Sequence, residues 1–405
     1  MLSNENIAII KSTAPILKDR GVEITSRFYE RLFANHPELL HLFNQTNQKK
    51  GRQQTALANA VYAAAENIDR LEEILPVVKQ IAHKHRSIGV QAEHYPVVGE
   101  HLLLAMKEVL GDGATPEVLQ AWEEAYSIIA NVFIEIEQDM YDEAAMQPGG
   151  WEGFKAFKVT RKEIESDVIT SFYLEPIDKK PLPSFSPGQY ISVQLHIEGE
   201  AYTHVRQYSL SDAPHQDYYR ISVKQECDHD PEGVVSNYLH KSIKEGDTIP
   251  VSAPAGDFVL DTSRDTPLVL ISGGVGLTPL VSMLKTVVTQ QPNREVTFIH
   301  AARNSQLHAL KGEINQIVKQ IDTVKNYTLY SNPTEEDRKL KDLNTGYITL
   351  EWLQKVLPHN QMDFYFCGPS GFMNATFQAL QQWGVPEERM HYEFFGPAKQ
   401  LETVH

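Results

Sequence analysis

The sequence predicts a multidomain chain with three architectures in order: an all-α region, a small antiparallel β-barrel and a parallel α/β domain. Apolar residues recur every three to four positions through roughly residue 140, which is the helical period. From about residue 154 the period shortens to two and turns become frequent. From Pro267 short apolar runs alternate with helical segments. A length of 405 residues has room for all three, since a domain takes about 150.

Composition narrows the class. Hydrophobic residues at 41% and charged residues at 22% permit real cores and exclude bulk disorder. No apolar stretch approaches the roughly 20 residues of a membrane-spanning helix, so no membrane insertion is expected. The opening MLSNENIAIIKSTAPILKDR lacks the basic start, apolar segment and cleavage site of a signal peptide. Lys+Arg 37 against Asp+Glu 53 gives −16, which argues against a nucleic-acid partner. Cys227 and Cys367 lie far apart and match no paired metal spacing, so a disulfide framework is excluded. A cytoplasmic monomer is the expectation.

In the helical region, expected over 1–138, the period is carried by VEITSRFYERLF, QQTALANAVYAAAENI, PVVKQIAHKHRSI and PEVLQAWEEAYSIIANVFIEIEQDMY. Breaks fall at His36-Pro37, Gly111–Gly113 and Pro116. Three polar side chains land on apolar stripes. His85 shares a face with Val78, Ile81, Ala82 and Ile88, whereas His83 falls with Lys79, Gln80 and Ser87 on the polar side. Glu137 follows Tyr126, Ala130 and Phe133 along one stripe, and Gln53 lies with Leu57, Ala60, Val61 and Ala64. Burying such groups is costly unless they are satisfied. One inward histidine is ordinarily a hydrogen-bonded core residue. Three inward polar groups together suggest a cavity that holds something polar.

DEAAMQPGGWEG reads as a polar, Gly/Pro-containing linker, placed at 139–151. Over 152–262 come the strand patterns FKAFKVTRKEI, DVITSFYLEPI, GQYISVQLHI, RQYSL, YYRISVKQE and TIPVSAPAGDF. Arg206-Gln207-Tyr208-Ser209 ends a predicted strand, sixteen residues after Tyr190. A cation, an aromatic ring and a hydroxyl in that order suit a pyrophosphate joined to a flat ring. GVVSNYLH, Gly233 to His240, reads as a turn entering a short helix, whose first N–H groups suit a phosphate. Over 263–405, PLVLISGGVGLTPLVSMLK is a strand, a glycine turn and a helix. Gly273, Gly274 and Gly276 do not fit G-x-G-x-x-G. Glycines at a helix N-terminus still let backbone approach a pyrophosphate.

The segments FYERLFANHPEL, HLFNQTNQ, QQTALANA, IAHKHRSIGV, HYPVVGEHLL and AWEEAYSIIANVFIEIE resemble a bacterial globin. With the RQYS motif, the glycine turn and Cys367-Gly368-Pro369 after MDFYF, the whole chain resembles the flavohaemoglobins. That resemblance implies an all-α globin domain, an antiparallel β-barrel FAD domain and a ferredoxin-reductase-like α/β NAD(P)-binding domain, with haem b, FAD and NAD(P)H as cofactors. It implies that His85 holds the iron while Tyr95 and Glu137 hydrogen-bond around it. A carboxylate on the second imidazole N–H makes the ligand more basic. It implies Tyr29, Gln53 and Leu57 on the distal side, where a tyrosine hydroxyl can donate to bound dioxygen, and Phe43 packed on the haem. Tyr190, Arg206, Gln207, Tyr208 and Ser209 are the implied FAD contacts, with Phe394, Phe395, Gly396 and Pro397 returning to the flavin.

Gly274, Val275, Gly276, Leu277, Thr278 and Pro279 are the implied nicotinamide-nucleotide turn, with Cys367 near the nicotinamide. Lys84 and Glu393 match positions between haem and flavin. Arg303, after the second strand of the α/β domain, sits where a 2′-phosphate could be met, and no acidic residue ends that strand; this favours NADPH, or both nucleotides. The implied activity is nitric oxide dioxygenation, with O₂, NO and NAD(P)H as small-molecule partners. The alternative is a haem-based O₂ or NO sensor or store with a maintenance reductase. A flavin-dependent ferric or quinone reductase would leave the inward polar groups of the helical region without a purpose.

Overall fold

The computed structural model describes residues 2–227, 232–340 and 343–396. The chain divides into two compact units, the first of residues 1–155, 192–206 and 250–255, the second of 156–191, 207–249 and 256–405.

The first unit is built on six helices: α1 (Asn4–Asn35), α2 (Gln45–Lys49), α3 (Arg52–Glu66), α4 (Leu75–Ile88), α5 (His94–Leu110) and α6 (Pro116–Met146). Ser3 caps α1 and Thr115 caps α6, each accepting an otherwise unpaired backbone N–H. Its core joins Ile10, Leu17, Ile24, Phe28 and Leu32 of α1 to Leu102, Met106 and Trp122. Helices α1 and α3 cross closely because a glycine meets an alanine, Gly21 against Ala58.

Two sequence expectations change here. The linker expected at 139–151 is helical as far as Met146, so the expected boundary at 138 falls inside α6. Glu, Ala and Met are strong helix formers, and the helix ends only at Gln147-Pro148-Gly149. The polar side of α4 is solvated only in part: Lys79 and Gln80 are exposed and His83 is half-buried. Arg86 and Ser87 are buried, with the Arg86 guanidinium donating to the Ala253 and Pro254 carbonyls and Ser192 Oγ donating to Ser87 Oγ at 3.1 Å. Periodicity cannot distinguish water from backbone carbonyls as the solvent of a polar face.

The β region holds β1 (Phe154–Ile164), β2 (Ile169–Pro176), β3 (Tyr190–Leu195), β4 (His204–Ser209), β5 (Tyr219–Lys224), α7 (Val234–Lys241) and β6 (Thr248–Ser252). The predicted barrel is a six-stranded antiparallel sheet in the order β4-β3-β6-β1-β2-β5. Leu210, just past β4, makes a single antiparallel bridge to Ile221 of β5. Strands β1 and β2 register Phe157 on Pro176 and Ile164 on Thr170, with a bulge between Val159 and Arg161.

The α/β region holds β7 (Leu268–Gly273), α8 (Leu277–Gln290), β8 (Val296–Ala302), α9 (Lys311–Gln320), β9 (Val324–Tyr330), β10 (Asn344–Thr345), α10 (Leu350–Val356), β11 (Asp363–Cys367), α11 (Ser370–Gln382) and β12 (Met390–Glu393). Its sheet runs β10-β9-β8-β7-β11-β12. Helix α8 covers one face through Leu280, Val281 and Leu284, packed with Leu268, Leu270 and Phe298. Helices α10 and α11 cover the other through Leu353, Phe377 and Leu380. The chain reverses its direction across the sheet at β7, whose neighbours are β8 and β11. Open parallel sheets bind ligands beyond the strand ends at such a switch point.

Candidate functional site

His85 lies in the last turn of α4, and Gly89, left-handed at φ +88°, ends that helix. Its Nδ1 stands 2.8 Å from Glu137 Oε1 on α6 and 3.2 Å from the Tyr95 hydroxyl on α5. Tyr95 in turn donates to the same Glu137 oxygen at 2.6 Å. Phe133 packs against both rings, 5.8 Å from His85 and 6.1 Å from Tyr95 between centroids. Tyr126 holds α5 to α6 by donating to the Tyr95 carbonyl at 2.6 Å. Gly99 makes room for that ring, since a Cβ at 99 would collide with it. Burial first, then the charge of Glu137, drives the Tyr95 hydroxyl pKa far upward, so it stays a donor. Glu137 itself is 3% exposed. A carboxylate so buried needs partners like these.

With Nδ1 engaged, Nε2 is the nitrogen of His85 able to take a metal. The arrangement therefore fits a haem iron. Tyr29 on α1 is buried, its ring 5.6 Å from both Phe33 and Phe43. Burial raises its hydroxyl pKa, partly opposed by Gln48. Gln53 on α3 carries a buried Oε1 with no hydrogen-bond partner among the described residues. An orphaned buried acceptor of this kind fits a site that admits a further polar group. Leu57 and Phe43 pack against the helical core yet remain half-buried. Helical phase did not single out Gln48 or Gln54, whose Nε2 donates to Gln48 Oε1 at 2.9 Å. Gln48 sits on the short α2, where no stripe extends far enough to be read, and Gln54 lies one position off the Gln53 stripe of α3.

Tyr190 opens β3, and its ring lies against Gly256, left-handed at φ +112°. A Cβ there would stand 2.9 Å from Tyr190 Cε1. Arg206, Gln207 and Tyr208 are half-buried on β4, while Ser209 is buried. Arg206 Nη1 donates to the Val205 carbonyl at 2.8 Å. Partly exposed polar and aromatic groups in succession fit a flavin dinucleotide. The turn Gly233–His240 forms α7 with Gly233 at its N-cap.

At β7 the glycine turn is a short 3-10 segment, Gly274–Gly276, leading into α8 at Leu277. A Cβ at Gly274 would meet nothing, so a ligand has room to approach the backbone there. At Gly276 a Cβ would strike the Cys367 carbonyl, and Gly273 and Gly368 both face the Phe372 ring. The two motifs GGVGLTP and CGP are thus brought together at the ends of β7 and β11. Val275 is half-buried, while Thr278 and Pro279 are buried in the first turn of α8. Cys367 is fully buried in the core beneath α8, and burial raises its thiol pKa. Arg303 is exposed just after β8. Lys84 belongs to the first unit and Glu393, paired in register with Cys367, to the second. Phe394 is half-buried and Phe395 exposed, Gly396 has φ +141°, and Pro397 lies outside the described residues.

Comparison with known proteins assigns the parts. Residues 26–133 match the globin family, 156–260 the oxidoreductase FAD-binding domain and 270–378 the oxidoreductase NAD-binding domain. The chain is therefore a haem and flavin oxidoreductase that takes a nicotinamide dinucleotide. It is 59% identical over 404 residues to the Flavohemoprotein of Bacillus thuringiensis subsp. konkukian, covering 99% of this chain and 100% of that one. To the Flavohemoprotein of Bacillus subtilis it is 55% identical over 403 residues, 99% of each chain. The crystal structure of flavohemoglobin from Malassezia yamatoensis with bound FAD and heme superposes with a TM-score of 0.84 at 26% identity, over 98% of this chain and 100% of that one. The chain belongs to the flavohaemoprotein family, and its cofactors are haem, FAD and NAD(P)H. The FAD/NAD-binding domain of a nitric oxide dioxygenase from Vibrio cholerae matches 60% of this chain and 99% of its own, at 39% identity and a TM-score of 0.56.

Proposed function

We propose that the chain is a nitric oxide dioxygenase, turning two NO and two O₂ with one NAD(P)H into two nitrates, NAD(P)⁺ and a proton. When bound, FAD accepts electrons in pairs and releases them singly, and haem iron takes a diatomic gas. The observation that carries the reading is the His85–Glu137–Tyr95 triangle. Nδ1–H donating to a buried carboxylate makes His85 a strongly donating ligand, which favours O–O chemistry over reversible storage. On the distal side the buried Tyr29 hydroxyl would donate to the gas, Gln53 and Leu57 would line the same side and Phe43 would pack on the haem.

Elsewhere, Arg206 offers its cation to pyrophosphate, Tyr190 and Tyr208 offer rings to the flavin, and Gln207 and Ser209 offer polar groups to its edge. Phe394 to Pro397 would close on the flavin. Gly274–Pro279 cradles the nicotinamide dinucleotide at the start of α8, and Arg303 admits a 2′-phosphate. Lys84 and Glu393 would tune the transfer of electrons to haem. A haem module closed by α6, monomeric working and a cytoplasmic place belong to the same proposal; among the described residues no helix is long and apolar enough to cross a membrane. The test is nitrate formation by the full-length protein given NAD(P)H, O₂ and NO. Sustained turnover is expected. A single stoichiometric burst would indicate a sensor or store instead.

A further inference from the structure

In the second unit, four charged side chains meet between the β sheet and the α/β sheet. Asp212 lies three residues past Ser209, is 4% exposed, and faces Arg220 of β5, also 4% exposed, at 3.8 Å. Arg220 reaches Glu313 of α9 at 3.0 Å. Lys285 of α8 bonds Asp212 and, at 2.5 Å, Glu313. Neutral groups complete the cluster. Tyr218 donates to Asp212 Oδ2 at 2.9 Å, the Ala213 N–H donates to Oδ1 at 2.8 Å, and Ser282 Oγ of α8 donates to the Asp212 carbonyl at 2.7 Å. Arg220 is tied back to Ser211 through Nε, at 3.2 Å to its Oγ, and through Nη2 to its carbonyl.

Charges as buried as those of Asp212 and Arg220 are an expensive way to join two surfaces. Apolar side chains of the same volume often hold as well or better. What apolar packing lacks is direction: a greasy interface tolerates sliding, whereas this set of bonds closes in one register. The places it joins matter. Ser282 and Lys285 are three apart on α8, hence on one face, and that helix begins at the glycine turn. Asp212 comes three residues after the Gln207–Ser209 strand end.

We propose that the Asp212–Arg220–Lys285–Glu313 network is a positioning device that locks α8 to the segment after Ser209 and so aligns nicotinamide with flavin for hydride transfer. The inference rests on reading Gln207–Ser209 as flavin contacts and Gly274–Pro279 as the nucleotide turn. In that transfer the C4–H bond of the dihydronicotinamide breaks with its electron pair and an N–H bond forms on the flavin; the nucleotide is oxidised and the flavin reduced. The four side chains touch neither reactant. They act through α8 and through the Ser209–Asp212 backbone.

The test is anaerobic flavin reduction by NADH in the full-length haem- and FAD-loaded protein, followed by stopped flow. It compares the unsubstituted chain with Asp212→Asn and with Lys285→Gln, the milder change because that side chain is 24% exposed. The limiting rate constant should fall about tenfold or more in Asp212→Asn and about threefold in Lys285→Gln, since a displacement of about 1 Å can cost a hundredfold. The NADH concentration at half-maximal rate and the FAD content should stay within about twofold, and amide exchange should quicken in 277–290 and 207–213. A limiting rate unchanged in both variants, even with quickened exchange, overturns the proposal. So does a rate loss matched by an equal loss of FAD. Nitric oxide plays no part in these measurements, so they stand or fall apart from the dioxygenase reading.

Discussion

The two sides proposed for the helical site are built on opposite plans. Around His85 the polar atoms form a closed triangle, with Nδ1, the Tyr95 hydroxyl and Glu137 Oε1 all within 3.2 Å of one another. Around Tyr29 the packing is aromatic, and Gln53 Oε1 is buried without a partner among the described residues. A saturated network holds one arrangement and resists change, because breaking it strands buried groups. An unsaturated one keeps capacity for a visitor. The first plan suits a permanent ligand, the second a transient one.

The largest expected effect comes from breaking the saturated side at its centre. His85→Ala should strip haem while FAD stays bound, since the proposed FAD contacts lie on other elements. The check is the absorption spectrum of purified protein, flavin bands without a Soret band. Full haem occupancy would move the ligand to another histidine, His83 or His94. Glu137→Gln is next. It keeps the shape but removes the charge, and partners behind a metal ligand are worth about 10- to 100-fold in affinity. Haem should dissociate faster by about that factor and the ferric/ferrous midpoint should rise, as read by haem transfer to an acceptor globin and by redox titration. An unmoved midpoint would mean the carboxylate adds packing and no electron density.

Much of this comparison is legible in the sequence, for a physical reason. Helical phase places His85, Glu137 and Gln53 on inward stripes because α4, α6 and α3 are long enough for the period to repeat. The partnering is not legible. Tyr95 sits near the start of α5, where phase carries little information, and its bond to Glu137 spans 42 residues. The polar face of α4 misleads for a related reason: Arg86 and Ser87 are buried against residues 192, 253 and 254, which no local pattern connects to them. The strands of the first sheet are legible from their period and those of the second, apart from the two-residue β10, from apolar runs alternating with helices, whereas the charge network on Asp212 joins residues up to 93 apart in sequence and is visible only once folded.

On the unsaturated side Tyr29→Phe should have a middle-sized effect. The hydroxyl lost is the proposed donor to a ligand that carries partial negative charge, an interaction worth about 1.5–3 kcal/mol. O₂ should leave the reduced protein about tenfold faster or more, measured by flash photolysis with rapid mixing, and nitric oxide consumption should slow. An unchanged off-rate would make Tyr29 part of the aromatic core it packs against.

The smallest effect is also the sharpest test of the contrast, because two readouts should move in opposite directions. Gln53→Leu removes an amide whose Oε1 has no partner, and an unsatisfied buried acceptor costs about 1–3 kcal/mol. Replacing it with an apolar side chain of similar size should leave the haem-loaded, ligand-free protein as stable as before or up to about 1 kcal/mol more stable. The same change takes a neutral polar group from the proposed distal side, where such a bond is worth about 1 kcal/mol, so O₂ should leave only about two- to fivefold faster. Thermal denaturation and the O₂ off-rate check the pair together. A clear loss of stability would show that Gln53 is already engaged in the resting protein, and that the distal side is closed in the same manner as the proximal one.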